Sequence, residues 1–88
     1  MTDSVYRVTF AASARRELIG LAANAIERIQ PKIRELANDP RPPGCKKLRG
    51  AKNLWRIRVG DYRVVYTIDG IAKKVDVTRI AHRREVYD

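Results

Sequence analysis

Leu54-Trp-Arg-Ile-Arg-Val-Gly-Asp-Tyr-Arg-Val-Val-Tyr-Thr-Ile-Asp69 decides the fold. Apolar residues alternate with others on both sides of Gly60-Asp61, the pattern of two half-buried strands joined by a turn. Trp55, Ile57 and Val59 point one way in the first strand, and Leu54, Arg56 and Arg58 the other. In the second, Tyr62, Val64, Tyr66 and Ile68 share a face, and Arg63, Val65 and Thr67 the opposite one. A two-residue loop with Gly first predicts a type II′ hairpin turn. That turn sets the register: Val59 faces Tyr62, Arg58 faces Arg63, Ile57 faces Val64, Arg56 faces Val65 and Trp55 faces Tyr66. One face is then aromatic and β-branched, and must be core. The other gathers three arginines. Like charges directly opposite in a sheet cost about 0.2–1 kcal/mol per pair. Folding gives no reason to set Arg58 against Arg63; an anionic ligand does.

Upstream, Val5 to Phe10 reads as a short strand with Tyr6, Val8 and Phe10 on one face. A helix follows over about Ala12 to Gly20, with Ala14, Leu18 and Leu21 as its apolar stripe. A second helix is expected near Asn24, whose side chain can cap it, with Glu27 three residues on. Its stripe is Ile26, Ile29, Ile33, Leu36 and Ala37. Pro31 interrupts it, and a proline inside a helix costs about 3 kcal/mol. Because the stripe keeps its phase, one helix kinked at Pro31 is expected rather than two short ones. Asp39-Pro-Arg-Pro-Pro-Gly44 is a stop and a loop. Cys45 to Lys52 reads as basic connecting chain, Gly70 marks a turn, and Lys74 to Ile80 is the last full strand. The order β-α-α-β-β-β makes residues 1–88 a single α+β domain: a small, largely antiparallel sheet with two N-terminal helices packed on one face. The arginine face is expected to stay open.

The formal net charge is +9, and it is lopsided. Residues 1–44 carry seven Lys+Arg against five Asp+Glu, and residues 45–88 carry twelve against five. A basic half on a folded domain favours a polyanion, nucleic acid first. The single cysteine cannot form an internal disulfide, and no apolar run suits a membrane span or a signal peptide. A cytoplasmic protein without membrane association is expected. One histidine and one cysteine make no His/Cys metal cluster, and no Gly-rich stretch forms a phosphate-binding fingerprint. No cofactor or metal is therefore expected, and Cys45 reads as an inert loop residue.

What remains is cationic and aromatic. Lys46, Lys47, Arg49 and Lys52 precede the hairpin; Arg56, Arg58 and Arg63 line it; His82, Arg83, Arg84 and Tyr87 close the chain. Arginine suits bidentate phosphate contacts, and aromatic rings stack on the bases of single strands.

Lys47-Leu-Arg-Gly50, Trp55-Arg-Ile-Arg-Val-Gly-Asp-Tyr-Arg-Val-Val-Tyr66 and His82-Arg-Arg-Glu-Val-Tyr87 together resemble the RelE/ParE superfamily of toxins from toxin–antitoxin pairs. The resemblance spans essentially the whole chain. An arginine closely followed by a C-terminal tyrosine is similar to the RelE branch. That branch implies a metal-independent endoribonuclease that cleaves mRNA in the ribosomal A site, inhibits translation and is neutralised by a RelB-like antitoxin with an acidic segment. The implied catalytic positions fall on Arg56, Arg58, Arg63, Arg83 and Tyr87, with His82 as an alternative base. The resemblance implies an RNA-backbone contact at Arg49, and the basic pattern itself adds Lys46, Lys47, Lys52 and Arg84 as RNA-binding positions. Where family members carry lysines, this chain has Arg56 and Arg58, and arginine does not give up a proton in proteins. The resemblance thus leaves the first strand without a general base. Two rival readings differ in class: a ParE-like inhibitor of DNA gyrase that catalyses nothing, and a nucleic-acid-binding accessory domain.

Overall fold

The computed structural model describes residues 6–50 and 52–82. The elements are β1 (Arg7–Phe10), α1 (Ala12–Ile19), α2 (Ala23–Glu35), β2 (Lys46–Lys47), β3 (Leu54–Val59), β4 (Tyr62–Asp69) and β5 (Lys74–His82). The strands form one sheet in the order β1-β5-β4-β3-β2, antiparallel except where β1 lies parallel to β5. The hairpin register is the expected one: Arg58 faces Arg63, Ile57 faces Val64 and Trp55 faces Tyr66. Gly60 alone of the two loop residues holds a positive φ, +61°, as a II′ turn requires.

Both helices pack on the apolar face. Ala14 and Leu18 of α1 and Ala25, Ile29 and Ile33 of α2 join Leu36, Ile57, Val64, Tyr66, Val75, Val77 and Ile80 in one core. Helix α2 runs unbroken through Pro31. Ile29 on one side of the proline and Ile33 on the other are almost wholly buried. Burying two such side chains contributes about 1.5–3 kcal/mol each, enough to offset the cost of about 3 kcal/mol for an interior proline. Asn24 does not cap α2. The helix begins at Ala23 behind Ala22, with no side-chain cap. Leu21, packed against the core in the short link from α1, sets where the helix enters.

Two features depart from the sequence reading. Lys46-Lys47, expected as connecting chain, is a fifth strand paired with β3: Lys46 opposite Arg56 and Lys47 opposite Trp55. The backbone N–H of Leu48 donates to the carbonyl of Leu54 at 2.8 Å and closes that second hairpin. In addition, β5 continues beyond Ile80 to His82 and carries a bulge. Val65 pairs with Arg79 while Tyr66 pairs with Val77, so Thr78 is the extra residue. The bulge lets Val75, Val77 and Ile80 all face the core although their spacing breaks strict alternation.

Strand β1 stops at Phe10, which leaves the outer edge of β5 uncovered beyond Val77. Helix α1 covers it. Ser13 Oγ donates to the Thr78 carbonyl at 3.4 Å, and the Ile80 N–H donates to Glu17 Oε1 at 2.8 Å. Residues four apart lie on one helix face, so a single turn of α1 serves successive groups of the strand edge. No helix among the described residues is long and apolar enough to cross a membrane.

Candidate functional site

The two faces of the sheet meet at the tip of the β3–β4 hairpin, and charge collects there. Arg58 and Arg63 are cross-strand partners one step from the turn. Arg58 is exposed; Arg63 is half-buried, and its Nε lies out of solvent. With Gly60 and Tyr62 they line a cleft of about 160 Å³. Arg58 also borders a wider cleft of about 360 Å³, shared with Pro43, Gly44, Arg56 and Ile57. One arginine thus joins two openings that continue along the same strand.

The arginine face is not open along its whole length, contrary to expectation. Arg56 is only 4% exposed. The cause is strand β2. It makes β3 an interior strand, and Leu48, just beyond it, packs with Leu54, Val65 and Ala81 into a small apolar cluster on this face. Arg56 sits between Lys46 and Val65 in the register, within that layer. It borders the wider cleft from below, whereas Arg58 stands above the surface.

The other basic positions are spread out. Lys46 and Lys47 are exposed on the edge strand β2, and Arg49 and Lys52 are exposed in the loop between β2 and β3. That loop adjoins the Leu54 end of β3, whereas the tip follows Val59. At about 3.3–3.4 Å per residue the six-residue strand separates them by roughly 17 Å. His82 is not grouped with Arg58 and Arg63. The bulge places Ala81 opposite Arg63 and His82 opposite Tyr62. The His82 and Tyr62 rings meet edge to face, centroids 5.6 Å apart, on the side that carries the helices. There they line a separate cleft of about 310 Å³ with Arg16, Glu17, Gly20 and Leu21 of the first helix and its end. Arg83, Arg84 and Tyr87 lie outside the described residues.

Sequence reasoning overlooked Arg28. Its Nη2 lies 2.8 Å, and its Cζ 3.5 Å, from where a Cβ on Gly60 would stand. The guanidinium of helix α2 therefore rests on the hairpin tip, against backbone that only glycine leaves bare. Nothing in the local pattern around Arg28 signals this, because the contact joins residues 32 positions apart. The Gly60 position was the available clue: a glycine demanded by the turn also permits a close approach.

Behind the site, Tyr66 ties the loop after α2 to the sheet. Its hydroxyl donates to the Pro40 carbonyl at 2.7 Å. Burial, with the Cys45 thiol beside it, pushes this phenol above its ordinary pKa. Arg41 in the same loop lies over the Trp55 ring at 5.0 Å. These contacts hold Pro43 and Gly44 as the outer wall of the Arg56–Arg58 cleft. Among the described residues no three His, Cys, Asp or Glu side chains gather to hold a metal ion.

The chain's relatives agree with this architecture. The sequence model of the ParE toxin of type II toxin–antitoxin systems, parDE, matches residues 8–87. Toxin RelE of Mycobacterium tuberculosis is 35% identical over 89 residues, covering 97% of this chain and 89% of that protein. Toxin RelE3 of Methanocaldococcus jannaschii is 30% identical over 86 residues, covering 93% and 96%. The crystal structure of the archaeal RelE–RelB complex from Pyrococcus horikoshii OT3 contains a chain that superposes with a TM-score of 0.80 at 26% identity, over 93% of this chain and 99% of that one. With five strands, two helices and matches that run almost end to end, the chain belongs to the RelE/ParE superfamily of toxin–antitoxin toxins, on its RelE-type branch.

Proposed function

We propose that this toxin is a ribosome-dependent endoribonuclease that cleaves mRNA in the A site and so inhibits translation. The observation that carries the reading is the Arg58–Arg63 pair at the rim of a small cleft. Two guanidiniums at the rim of one cleft suit a phosphate, which each can grip through paired N–H donors. The 2′-oxygen of one nucleotide attacks its own 3′-phosphorus, and the bond from phosphorus to the 5′-oxygen of the next nucleotide breaks. A 2′,3′-cyclic phosphate and a free 5′-hydroxyl result. The 2′-proton goes to a base and the leaving oxygen takes one up. Charge develops on the phosphoryl oxygens, and preorganised cations stabilise it.

Arg63 and Arg58 take that charge. Arg56, expected to hold the scissile phosphate directly, acts instead from beneath the surface through its field. Arg83 serves the leaving oxygen. Tyr87 stacks on a base or accepts the 2′-proton. His82 is the weaker candidate for that base, because its ring is engaged by Tyr62 on the other side of the sheet. Lys46, Lys47, Arg49, Lys52 and Arg84 bind RNA phosphates away from the reacting bond. No metal or cofactor takes part in this scheme. Primer extension on a translated mRNA after induction tests it. Cuts inside the reading frame are expected. Intact mRNA with broken chromosomal DNA would instead support ParE-like gyrase inhibition.

The same reading includes a RelB-like antitoxin as partner, as in the related complex. An apolar groove between β1 and the helices suits an amphipathic helix from such a partner. Phe10 is 38% exposed and Ile19 70%. With Leu18 and Gln30 they line a cleft of about 370 Å³, flanked by Arg15, and the groove continues past Ile33 to Arg34. An acidic helix would pair with those arginines. Ile19→Asp should weaken antitoxin binding, and raising salt should slow association. An on-rate insensitive to salt would remove the acidic-partner reading.

A further inference from the structure

We infer that Arg28 of helix α2 is a substrate-positioning residue, holding a second RNA phosphate at the hairpin tip. The inference rests on the endoribonuclease reading and extends its site from the sheet to the helix layer. Arg58 and Arg63 project from β3 and β4, while Arg28 arrives from the opposite face of the sheet. All three converge because the hairpin tip is where the faces meet. Gly60 lines the Arg58–Arg63 cleft and is also the residue on which the Arg28 guanidinium rests. Among the described residues, guanidiniums from three elements, α2, β3 and β4, thus border the one turn.

Rigid support favours Arg28 over the other surface cations. Ile29, the next residue in α2, is fully buried, which anchors that turn of the helix in the core. The guanidinium lies against turn backbone held at φ +61°. A planar, preplaced fork loses less freedom on gripping a phosphate than a lysine free in solvent. Because Arg28 reaches the tip from the helix side while Arg58 and Arg63 stand on the other face, it takes a neighbouring phosphate of the strand rather than the reacting one. Its effect is therefore on binding, not on the chemical step.

The test uses ribosomes, with toxin binding measured against salt. One set carries an mRNA whose attacking nucleotide is 2′-O-methylated, so that no cleavage occurs; the other has an empty A site. Wild type, Arg28→Ala, Arg28→Lys and Arg63→Ala are compared. Each single-strand phosphate contact contributes about 0.7 to the slope of log K against log salt. Arg28→Ala should lower the slope by about 0.7, and Arg28→Lys should restore most of it. Loss confined to programmed ribosomes supports an mRNA phosphate; equal loss on both would place the contact on ribosomal RNA and overturn the assignment to the mRNA strand. On cleavable mRNA, Arg28→Ala should raise the half-saturating toxin concentration and leave the saturated rate unchanged. If Arg28→Ala matches wild type in slope while Arg63→Ala abolishes cleavage, the role of Arg28 falls and the endoribonuclease reading stands. If Arg63→Ala also cleaves like wild type, both fall.

Discussion

The two faces of one sheet have been put to opposite uses. On the helix side, Ile57, Val64, Tyr66, Val75, Val77 and Ile80 are buried against α1 and α2, and the buried Tyr66 hydroxyl finds a carbonyl. On the other side, a four-residue apolar cluster sits among arginines, with Arg58 and Arg63 as cross-strand partners. The first face follows folding physics throughout. The second sets two arginines opposite each other, and the proposed site lies at that pair. On the proposed reading, stability comes from one side of these strands and cleavage from the other, and substitutions should separate them.

The largest separation should come from Ile29→Ala on the covered side. The side chain is fully buried, so its loss should cost about 2–5 kcal/mol in denaturant unfolding. A domain of this size has only a few kcal/mol to spare. Next, Arg63→Ala should reduce mRNA cleavage by about 10²–10³-fold, with its unfolding midpoint close to wild type. An Arg63→Ala protein that has lost its circular dichroism signal would make the residue structural and erase the contrast between the faces.

Tyr66→Phe is expected to cost about 1–3 kcal/mol, because the buried Pro40 carbonyl loses its donor. It should also alter the alkaline limb of the stability curve. The phenol's pKa is raised in the folded state, so the folded protein holds that proton more tightly than the unfolded chain. Its contribution is fully present below the ordinary pKa of about 10 and is lost as pH rises toward the folded value. Unfolding followed from pH 8 upward should show that decline in wild type and its absence in Tyr66→Phe.

Glu17→Gln should have the smallest effect. The amide keeps an acceptor for the Ile80 N–H, and the ion pair with Arg79, 3.7 Å apart and substantially exposed, disappears. Exposed pairs contribute about 0–1 kcal/mol. A larger loss, insensitive to salt, would mean that α1 holds the β5 edge through charge rather than through hydrogen bonds.

The hairpin and both helices were legible because their information is local. Period-two alternation in residues 54–69 named the strands, and Gly60-Asp61 set a register that holds residue for residue. The stripes of α1 and α2 named Ala14, Leu18, Ile29 and Ile33 among the buried residues but missed Ala25, and the phase across Pro31 favoured one helix. The bulge at Thr78 was present as broken alternation between Val77 and Ile80, but such a break also reads as a strand ending. Asn24 misled because capping preference is a weak term beside the burial of Leu21 and Ala25.

The sequence by itself determined that Arg58 would face Arg63, since a turn and a period suffice to place cross-strand neighbours. Only the tertiary structure decided which arginines meet solvent. Lys46-Lys47 are too few to show a period, yet pairing with β3 turns an edge strand into an interior one and buries Arg56. Only the tertiary structure, too, brought Arg28 to the hairpin tip and turned His82 away from it. The physical reason is common to all three. Alternation and turn chemistry act between near neighbours along the chain, whereas burial and convergence depend on which distant segments pack together.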